Sequence, residues 1–305
     1  MQTVELCRGI ILVEGERGGK YPSSNSLLVG EESFILVDTG FSLSPQAVKE
    51  LKENFRVEAV VNSHCHEDHI LMNHLFQDAQ ICCHRLDAPA VRSVTELNNR
   101  YFTPKDRELA KLGEQFLRVL LNLKDSKVDF EFENGYTFNL DVTKMTVLYA
   151  PGHSAGHCCF YFPREKVVFL SDYDLTSFGP WYGGTDSSLT ETLSSVEKLK
   201  SLEAEVAVTS HRKDPIRGHD EILKLIEEYV SKIQEREKQI LDALRGRWMS
   251  ADELADLAII YRRFPEPKDL FKVSERIMIE KHLEALLEKG KVKKQGDKFT
   301  AANDQ

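Results

Sequence analysis

The sequence predicts an α/β fold, and three observations carry that prediction. Short apolar runs at residues 57–63 (VEAVVNS), 144–150 (KMTVLYA), 166–171 (KVVFLS) and 205–210 (EVAVTS) have strand length and are rich in β-branched residues. Amphipathic helical segments lie between and after them, at residues 44–55, 188–202 and 219–246. The runs are apolar almost throughout, as expected of strands covered on both faces by helices.

Taken in order, residues 1–40 read as short strands broken by turns, with a hairpin turn at residues 30–33. Ser44 and Pro45 form a cap and first-turn pair that starts a helix. The strand at 57–63 leads into a polar turn, a short helix and a strand at 79–84. Residues 87–122 are helical in period, divided at Pro104, and form an insertion that either covers a site as a lid or simply packs. Asn134-Gly135 predicts a hairpin between the strands around it. Beyond about residue 231 the chain turns charge-rich and helical. Ser250 and Glu253 have capping-box spacing, Ser274 reads as the cap of a second helix ending at Gly290, and a hairpin follows around Gly296-Asp297. Two units are therefore expected, at 1–230 and 231–305, the second with the helices-then-hairpin pattern of a winged helix.

Composition narrows the function classes. The net charge of −9 opposes broad attraction to nucleic acid or anionic membrane. No apolar run approaches the roughly 20 residues that span a bilayer, so no membrane partner is expected. The first residues read as a strand pair and not as a targeting segment. Four of the six cysteines stand in adjacent pairs, Cys82-Cys83 and Cys158-Cys159, inside strand-like runs. Neighbours on a strand face opposite ways, so these read as reduced thiols, and a cytoplasmic location is expected.

The chemistry is concentrated at VVNSHCHEDHI, residues 60–70. Three histidines and an aspartate within six residues, directly after a buried strand, are hard to account for as a solvated turn. Imidazole and carboxylate suit zinc, manganese or iron. Residues two apart in an extended loop share a side, so His64 and His66 can grip one ion. Asp68 and His69, at the start of a helix, turn toward a second position nearby. Cys65 reads as a spacer. One cluster cannot fill two coordination shells, and further polar residues do follow other strands: His153 after 144–150, Asp172 after 166–171 and His211 after 205–210. Singly each is an ordinary loop residue; together they form a pattern.

Asp38 in VDTG, the His64-x-His66-x-Asp68-His69 run, His153 in PGHSAGH, Asp172 and His211 resemble the five ordered motifs of the metallo-β-lactamase superfamily, over roughly residues 5 to 215. The resemblance implies a four-layer αβ/βα sandwich with two metal ions at the sheet edges, zinc first and iron or manganese as alternatives. It implies that His64, His66 and His153 hold one ion, that Asp68, His69 and His211 hold the other, and that Asp172 bridges them. Asp38 would orient ligand histidines, and Asp68 and Asp38 are the expected catalytic residues. Two ions about 3.5–4 Å apart lower the pKa of a shared water toward about 7 and generate a bridging hydroxide. The sequence departs from relatives where Ile70-Leu71-Met72-Asn73 replaces glycines, and where Arg212 and Lys213 follow His211. Arg212 either meets an anionic group of the substrate or is a solvated charge. Phe178, Trp181 and Tyr182 are candidates for a substrate wall or for loop packing. His157 is expected to be structural, and His74, His84, His219 and His282 to be surface or half-buried residues.

The C-terminal region is similar to the winged-helix tail of the glyoxalase-II-like group that includes β-lactamase-like protein 2, and the animal β-lactamase-like-protein-2 members are endoribonucleases. The leading expectation is a dinuclear metal-dependent hydrolase of a small-molecule thioester, acyl-CoA or acyl-glutathione in type, or a related ester. The alternatives are an endoribonuclease on single-stranded RNA, a mononuclear iron persulfide dioxygenase, and a non-catalytic winged-helix protein that binds nucleic acid. A homo-oligomer is compatible with all of them.

Overall fold

The computed structural model describes residues 2–40 and 44–302. Among these residues one sheet takes its seven strands in chain order: β1 (Gln2–Cys7), β2 (Ile10–Glu14), β3 (Ser26–Gly30), β4 (Phe34–Val37), β5 (Val57–Val61), β6 (Gln80–His84) and β7 (Phe130–Phe132). It is antiparallel as far as β4 and parallel from β4 to β7. A second sheet holds β8 (Thr137–Asn139), β9 (Lys144–Tyr149), β10 (Cys158–Phe162), β11 (Val167–Phe169), β12 (Val206–Val208) and β13 (Ile216–Arg217), with β11 and β12 parallel.

Period-two alternation explains why the strands are apolar on both faces. Leu27 and Val29 of β3 and Ile35 and Val37 of β4 join Val147, Phe160 and Phe169 in the core between the sheets. Leu28 and Leu36 face the other way, against Val48 and Leu51 of helix α1 (Pro45–Asn54). The cysteine pairs split as expected: Cys82 and Cys158 enter the inter-sheet core, while Cys83 and Cys159 join the two outer clusters. All six cysteines are free thiols. Ser44 accepts from the Ala47 N–H and Pro45 opens the helix, as the sequence predicts.

After β5 comes α2 (Glu67–Ile70). The insertion folds as α3 (Ala88–Arg92), α4 (Val94–Asn99), a 3₁₀ turn begun by Pro104, and α5 (Arg107–Gln115) running into a π turn at Phe116–Leu120. The second sheet is covered by α6 (Leu189–Leu199) and α7 (His219–Leu244), whose Val196, Ile222 and Ile226 pack against Val168 and Ala207. The result is helix, sheet, sheet, helix: four layers. Helix α7 runs unbroken through residues 230 and 231. The tail contains α8 (Ala251–Ala255), α9 (Lys268–Glu288) and a small sheet in which β16 (Lys298–Ala301) lies between β14 (Met249–Ser250) and β15 (Val292–Gln295). Among the described residues no helix is long and apolar enough to cross a membrane.

Two local expectations are corrected. Asn134-Gly135 does turn the chain, but β7 and β8 belong to different sheets, so the turn is a crossover and not a hairpin. The Gly135 N–H donates to Val147 and the Asn134 side chain accepts from the Tyr149 N–H, which ties the turn to β9. Ser274 does not cap α9. The helix starts at Lys268 after Pro267, and Ser274 is buried inside it.

Candidate metal centre

The expected ligands arrive on loops at the carboxyl ends of strands, where neighbouring loops of an open α/β sheet converge. Strand β5 delivers His64 and His66, and His66 is the N-cap of α2, which places Asp68 and His69 in one helical turn. His153 follows β9, Asp172 follows β11 and His211 follows β12. The loops after β4 and β11 use left-handed backbone at non-glycine residues: Asp38 has φ 63° and Ser171 has φ 52°. Such strain is held in place only by surrounding structure. Gly40 is required by close approach, because a Cβ there would stand 1.7 Å from the Asp68 carbonyl oxygen.

The atoms that could hold a metal ion form two groups, His64, His66, His153 and Asp172 in one, Asp68, His69 and His211 in the other. In the first, His66 Nδ1 lies 3.0 Å from His64 Nε2 and 2.9 Å from His153 Nε2. In the second, Asp68 Oδ2 lies 3.6 Å from His69 Nε2 and 3.3 Å from His211 Nε2. Asp172 reaches both groups: Oδ2 is 3.2 Å from His153 Nε2 and 3.3 Å from His211 Nε2, and Oδ1 is 3.0 Å from His69 Nε2.

The outward nitrogens are fixed by acceptors, which settles the tautomers. His69 Nδ1 donates to Asp38 Oδ2 at 2.8 Å. His153 Nδ1 donates to the Trp181 carbonyl at 3.1 Å, and His211 Nδ1 to the carbonyls of Gly19 and Ser23 at 2.9 and 3.0 Å. Ser63 Oγ gives its one proton to Asp38 at 2.7 Å, so it accepts from His64 Nδ1 at 3.1 Å. In each of these four histidines Nε2 faces the cluster, the orientation that metal-ligating imidazoles adopt.

Electrostatics point the same way. Burial, then the neighbouring His69, pushes His64 well below the usual imidazole range; burial and His153 do the same to His66. Burial also opposes charge on His69 and His211, but the carboxylates outweigh it. Asp172, Asp68 and Asp38 hold His69 well up, and Asp172 and Asp68 hold His211 up. Asp172 is held well below the carboxylate range, its burial outweighed by His69, His211, His64 and His153. The carboxylates thus gather positive charge of the kind a divalent cation supplies. Buried Asp68 Oδ2, His69 Nε2 and Asp172 Oδ1 have no hydrogen-bond partner, although each lies near another ligating atom. Orphaned buried polar atoms cost about 1–3 kcal/mol each. Nitrogen and carboxylate oxygen atoms converging this way fit a zinc, manganese or iron ion.

A cavity of about 590 Å³ opens on the cluster. Phe178 and Trp181 line it together with Tyr101, Phe102, Phe116 and Leu117 of the insertion and Tyr261, Leu270 and Phe271 of the tail. Tyr182, expected on this wall, is wholly buried, and its hydroxyl meets His282 Nε2 at 2.7 Å. Arg212 lies outside the lining and donates to the Leu175 carbonyl at 3.1 Å. His157, as expected, is structural: its Nδ1 donates to Ala150 at 2.9 Å, and burial beside His153 lowers its pKa to about 3. His84 and His282 are buried, not surface residues; His84 stacks on Tyr149 at 4.4 Å.

Several residues here escaped the sequence reading. Glu67 is buried between two tyrosines and accepts from Tyr21 Oη at 3.0 Å and Tyr101 Oη at 2.6 Å. Its place inside the histidine run was a signal; the tyrosines gave none. Arg236 donates to the carbonyls of Phe178 and Pro180 and to Tyr182 Oη. Its signal was present: it interrupts the apolar stripe Ile222, Ile226, Tyr229, Ile233, Ile240, Leu244 at a core position. Asp87 takes the Cys65 and Gly156 N–H groups, Ser154 Oγ and Arg100, joining the loops that carry His66 and His153.

The Metallo-beta-lactamase superfamily model matches residues 19–211. The chain is similar to a beta-lactamase-like protein 2 homolog of Caenorhabditis elegans, 23% identical over 73% of this chain and 65% of that protein. It is 26% identical to an atrochrysone carboxyl ACP thioesterase of Aspergillus fumigatus over 37% of this chain and 33% of the relative. It is 30% identical to a hydroxyacylglutathione hydrolase of Francisella tularensis subsp. novicida over 26% of this chain and 32% of the relative. The chain spans less than two thirds of the length of each of these curated relatives. A metallo-beta-lactamase family protein of Thermus thermophilus shares the fold along nearly the whole length, with a TM-score of 0.73, 23% identity, and coverage of 98% of this chain and 100% of that one. Fold, ordered motifs and family match agree, and the chain belongs to the metallo-beta-lactamase superfamily.

Proposed function

We propose that the chain is a dinuclear metal-dependent hydrolase that cleaves an acyl thioester. The observation that carries this reading is the apolar, aromatic cavity that opens on the ligating cluster. Two relatives bearing thioesterase and hydroxyacylglutathione hydrolase names support it. Residues 1–230 would form the catalytic unit and 231–305 a tail that closes the cavity.

His64, His66 and His153 would hold one ion, Asp68, His69 and His211 the other, with Asp172 shared. Divalent ions held there supply Lewis-acid activation of water near neutral pH. The chain's own part is preorganisation. Asp38, Ser63 and the carbonyls of Gly19, Ser23 and Trp181 aim the imidazoles. Glu67 holds Tyr21 and Tyr101 in the cavity wall by accepting their hydroxyl protons, and the aromatic walls exclude bulk water from the cavity.

The test is elemental analysis of the full chain followed by a panel of thioesters, phosphodiesters, lactones, β-lactams and single-stranded RNA. Two ions per chain with chelator-sensitive thioester hydrolysis is the expected result. RNA cleavage that falls steeply with salt, without thioester turnover, would replace this reading with a ribonuclease. One iron per chain with oxygen uptake on a persulfide would replace it with a dioxygenase.

A further inference from the structure

The cavity is built by two segments that lie far apart in sequence, and their meeting gives it a shape suited to one part of a substrate. Phe102 of the insertion shares an apolar cluster with Val273 and Ile277 of α9, and the buried Arg276 guanidinium pairs with Asp106. Insertion and tail are thus fastened into one roof. Beneath it, Phe102, Phe116 and Leu117 face the cavity from the insertion, and Leu270 and Phe271 from the tail. Lys20 and Arg263 are the Lys and Arg residues in the lining. Both are exposed, and neither side chain has an ion pair or hydrogen bond among the described residues. The lining carboxylates are engaged otherwise: Glu67 by two tyrosines, Asp68 and Asp172 in the ligating cluster, Asp174 by the Thr176 N–H.

We infer that this roofed chamber is an acyl subsite for a medium- to long-chain fatty acyl group, carried by an anionic phosphopantetheine thioester whose phosphates meet Lys20 and Arg263. The inference rests on the thioester reading and goes beyond it. A short acyl group would leave part of this largely apolar cavity of about 590 Å³ to water. Each methylene buried in it gains about three- to fourfold in binding. The exposed cations suit a carrier that stays at the mouth while its acyl chain goes in. Coenzyme A and an acyl-carrier protein present the same phosphopantetheine, so both are assayed.

The experiment has two readouts on the full chain. The first is kcat/KM for butyryl, octanoyl and dodecanoyl thioesters of coenzyme A, acyl-carrier protein and the neutral carrier N-acetylcysteamine. The second is calorimetric binding of a non-hydrolysable dodecanoyl-coenzyme A thioether, which needs no turnover. Dodecanoyl is expected to exceed butyryl by on the order of a hundredfold, the gain from burying about four of its eight additional methylenes. Leu270→Trp, which fills the chamber, and Phe271→Ala, which opens it, should each lower that ratio by about tenfold, with folding checked by circular dichroism. Arg263→Glu should raise KM more for the phosphopantetheine carriers than for N-acetylcysteamine. Thioester hydrolysis that ignores chain length, or a chain-length preference that both roof variants leave intact, overturns the acyl subsite while the thioester reading stands. Tight, chain-length-dependent binding of the thioether without hydrolysis of any thioester supports the subsite and overturns the thioester-cleaving reading. Neither binding nor hydrolysis overturns both.

Discussion

His153 Nδ1 donates to the backbone carbonyl of Trp181 at 3.1 Å, so a histidine proposed as a metal ligand takes its orientation from the loop that also walls the cavity. That loop is held from the tail side. Trp181 Nε1 donates to Tyr261 Oη at 2.8 Å, Arg236 binds the carbonyls of Phe178 and Pro180, and Lys281 binds those of Tyr182 and Gly184. Arg236→Met removes three hydrogen bonds in a buried setting and frees the loop. Groups that orient a ligand typically carry about 10–100-fold in metal affinity. Chelator competition should show metal affinity reduced by at least about tenfold in Arg236→Met. Wild-type affinity would mean that the loop orients itself.

Asp38 acts directly on the second group, through His69, and reaches His64 of the first only through Ser63 Oγ. Its carboxylate takes the Ser63 N–H and hydroxyl, each at 2.7 Å, and His69 Nδ1 at 2.8 Å. Asp38→Asn keeps the shape but has only one accepting oxygen and adds an N–H₂ that faces one of these donors. The histidine tautomer and the loop are then at odds. Metal titration should reveal one weakened site, by about 10–100-fold, with the other retained. Equal weakening of both sites would show that Asp38 braces the whole loop and not His69 in particular.

Much of the fold and the cluster was legible because strand period, caps and ligand chemistry are local properties. Ser44, Ser250 and the alternation in β3 and β4 behave as their neighbours dictate. The errors lie where distant segments decide. Asn134-Gly135 is a sound turn, yet whether it joins strands of one sheet depends on β6 and β9, which claim β7 and β8 separately. Ser274 looks like a cap until the chain before it proves helical as well. Arg212 and Tyr182 have the right chemistry for substrate contact. Their directions are set by Leu175 and His282, which no spacing rule connects to them.

His282 also gives the fold a pH dependence with a definite sign. Burial, with Arg236 and Lys289 nearby, lowers its pKa to about 3, against about 6.5 for an unperturbed imidazole. Between those values the unfolded chain binds the proton that the folded chain refuses. Stability therefore rises with pH across this window, is fully present above about 6.5, and is lost as pH falls toward 3, at up to about 1.4 kcal/mol per pH unit. His282→Gln retains an acceptor for Tyr182 Oη and does not titrate. Denaturant midpoints between pH 4 and 6.5 should vary less steeply in the variant. An unchanged slope would assign the acid sensitivity to other groups.

The ligand assignment itself predicts joint losses. His66 Nδ1 stands between two other imidazoles, and Asp172 touches both groups, so His66→Ala should empty one site and Asp172→Ala should weaken two. Elemental analysis should find about half the metal in the first variant and less in the second, with hydrolysis lost from both. Normal metal content in both would sink the assignment.

Asp87 separates a framework role from a ligand role. It is fully buried, pairs with Arg100 at 2.6 Å, and joins the Cys65 N–H to Ser154 Oγ and the Gly156 N–H, so one carboxylate spans the loops of His66 and His153. Gly156 makes this approach feasible, since a Cβ there would come within 2.5 Å of the Asp87 carboxyl carbon. Removing Asp87 leaves Arg100 its second partner, Asp186 at 2.7 Å, but orphans the buried Cys65 and Gly156 N–H groups and the Ser154 hydroxyl, at about 1–3 kcal/mol each and on the order of 3–5 kcal/mol together. Asp87→Ala should thus lower the unfolding free energy by about that amount, whether or not metal is present. A ligand variant behaves differently: most of the stabilisation lost in His66→Ala should be the part that added metal confers on the wild type. Unfolding with and without chelator distinguishes the two, and a metal-dependent loss in Asp87→Ala would move Asp87 from the framework into the metal centre.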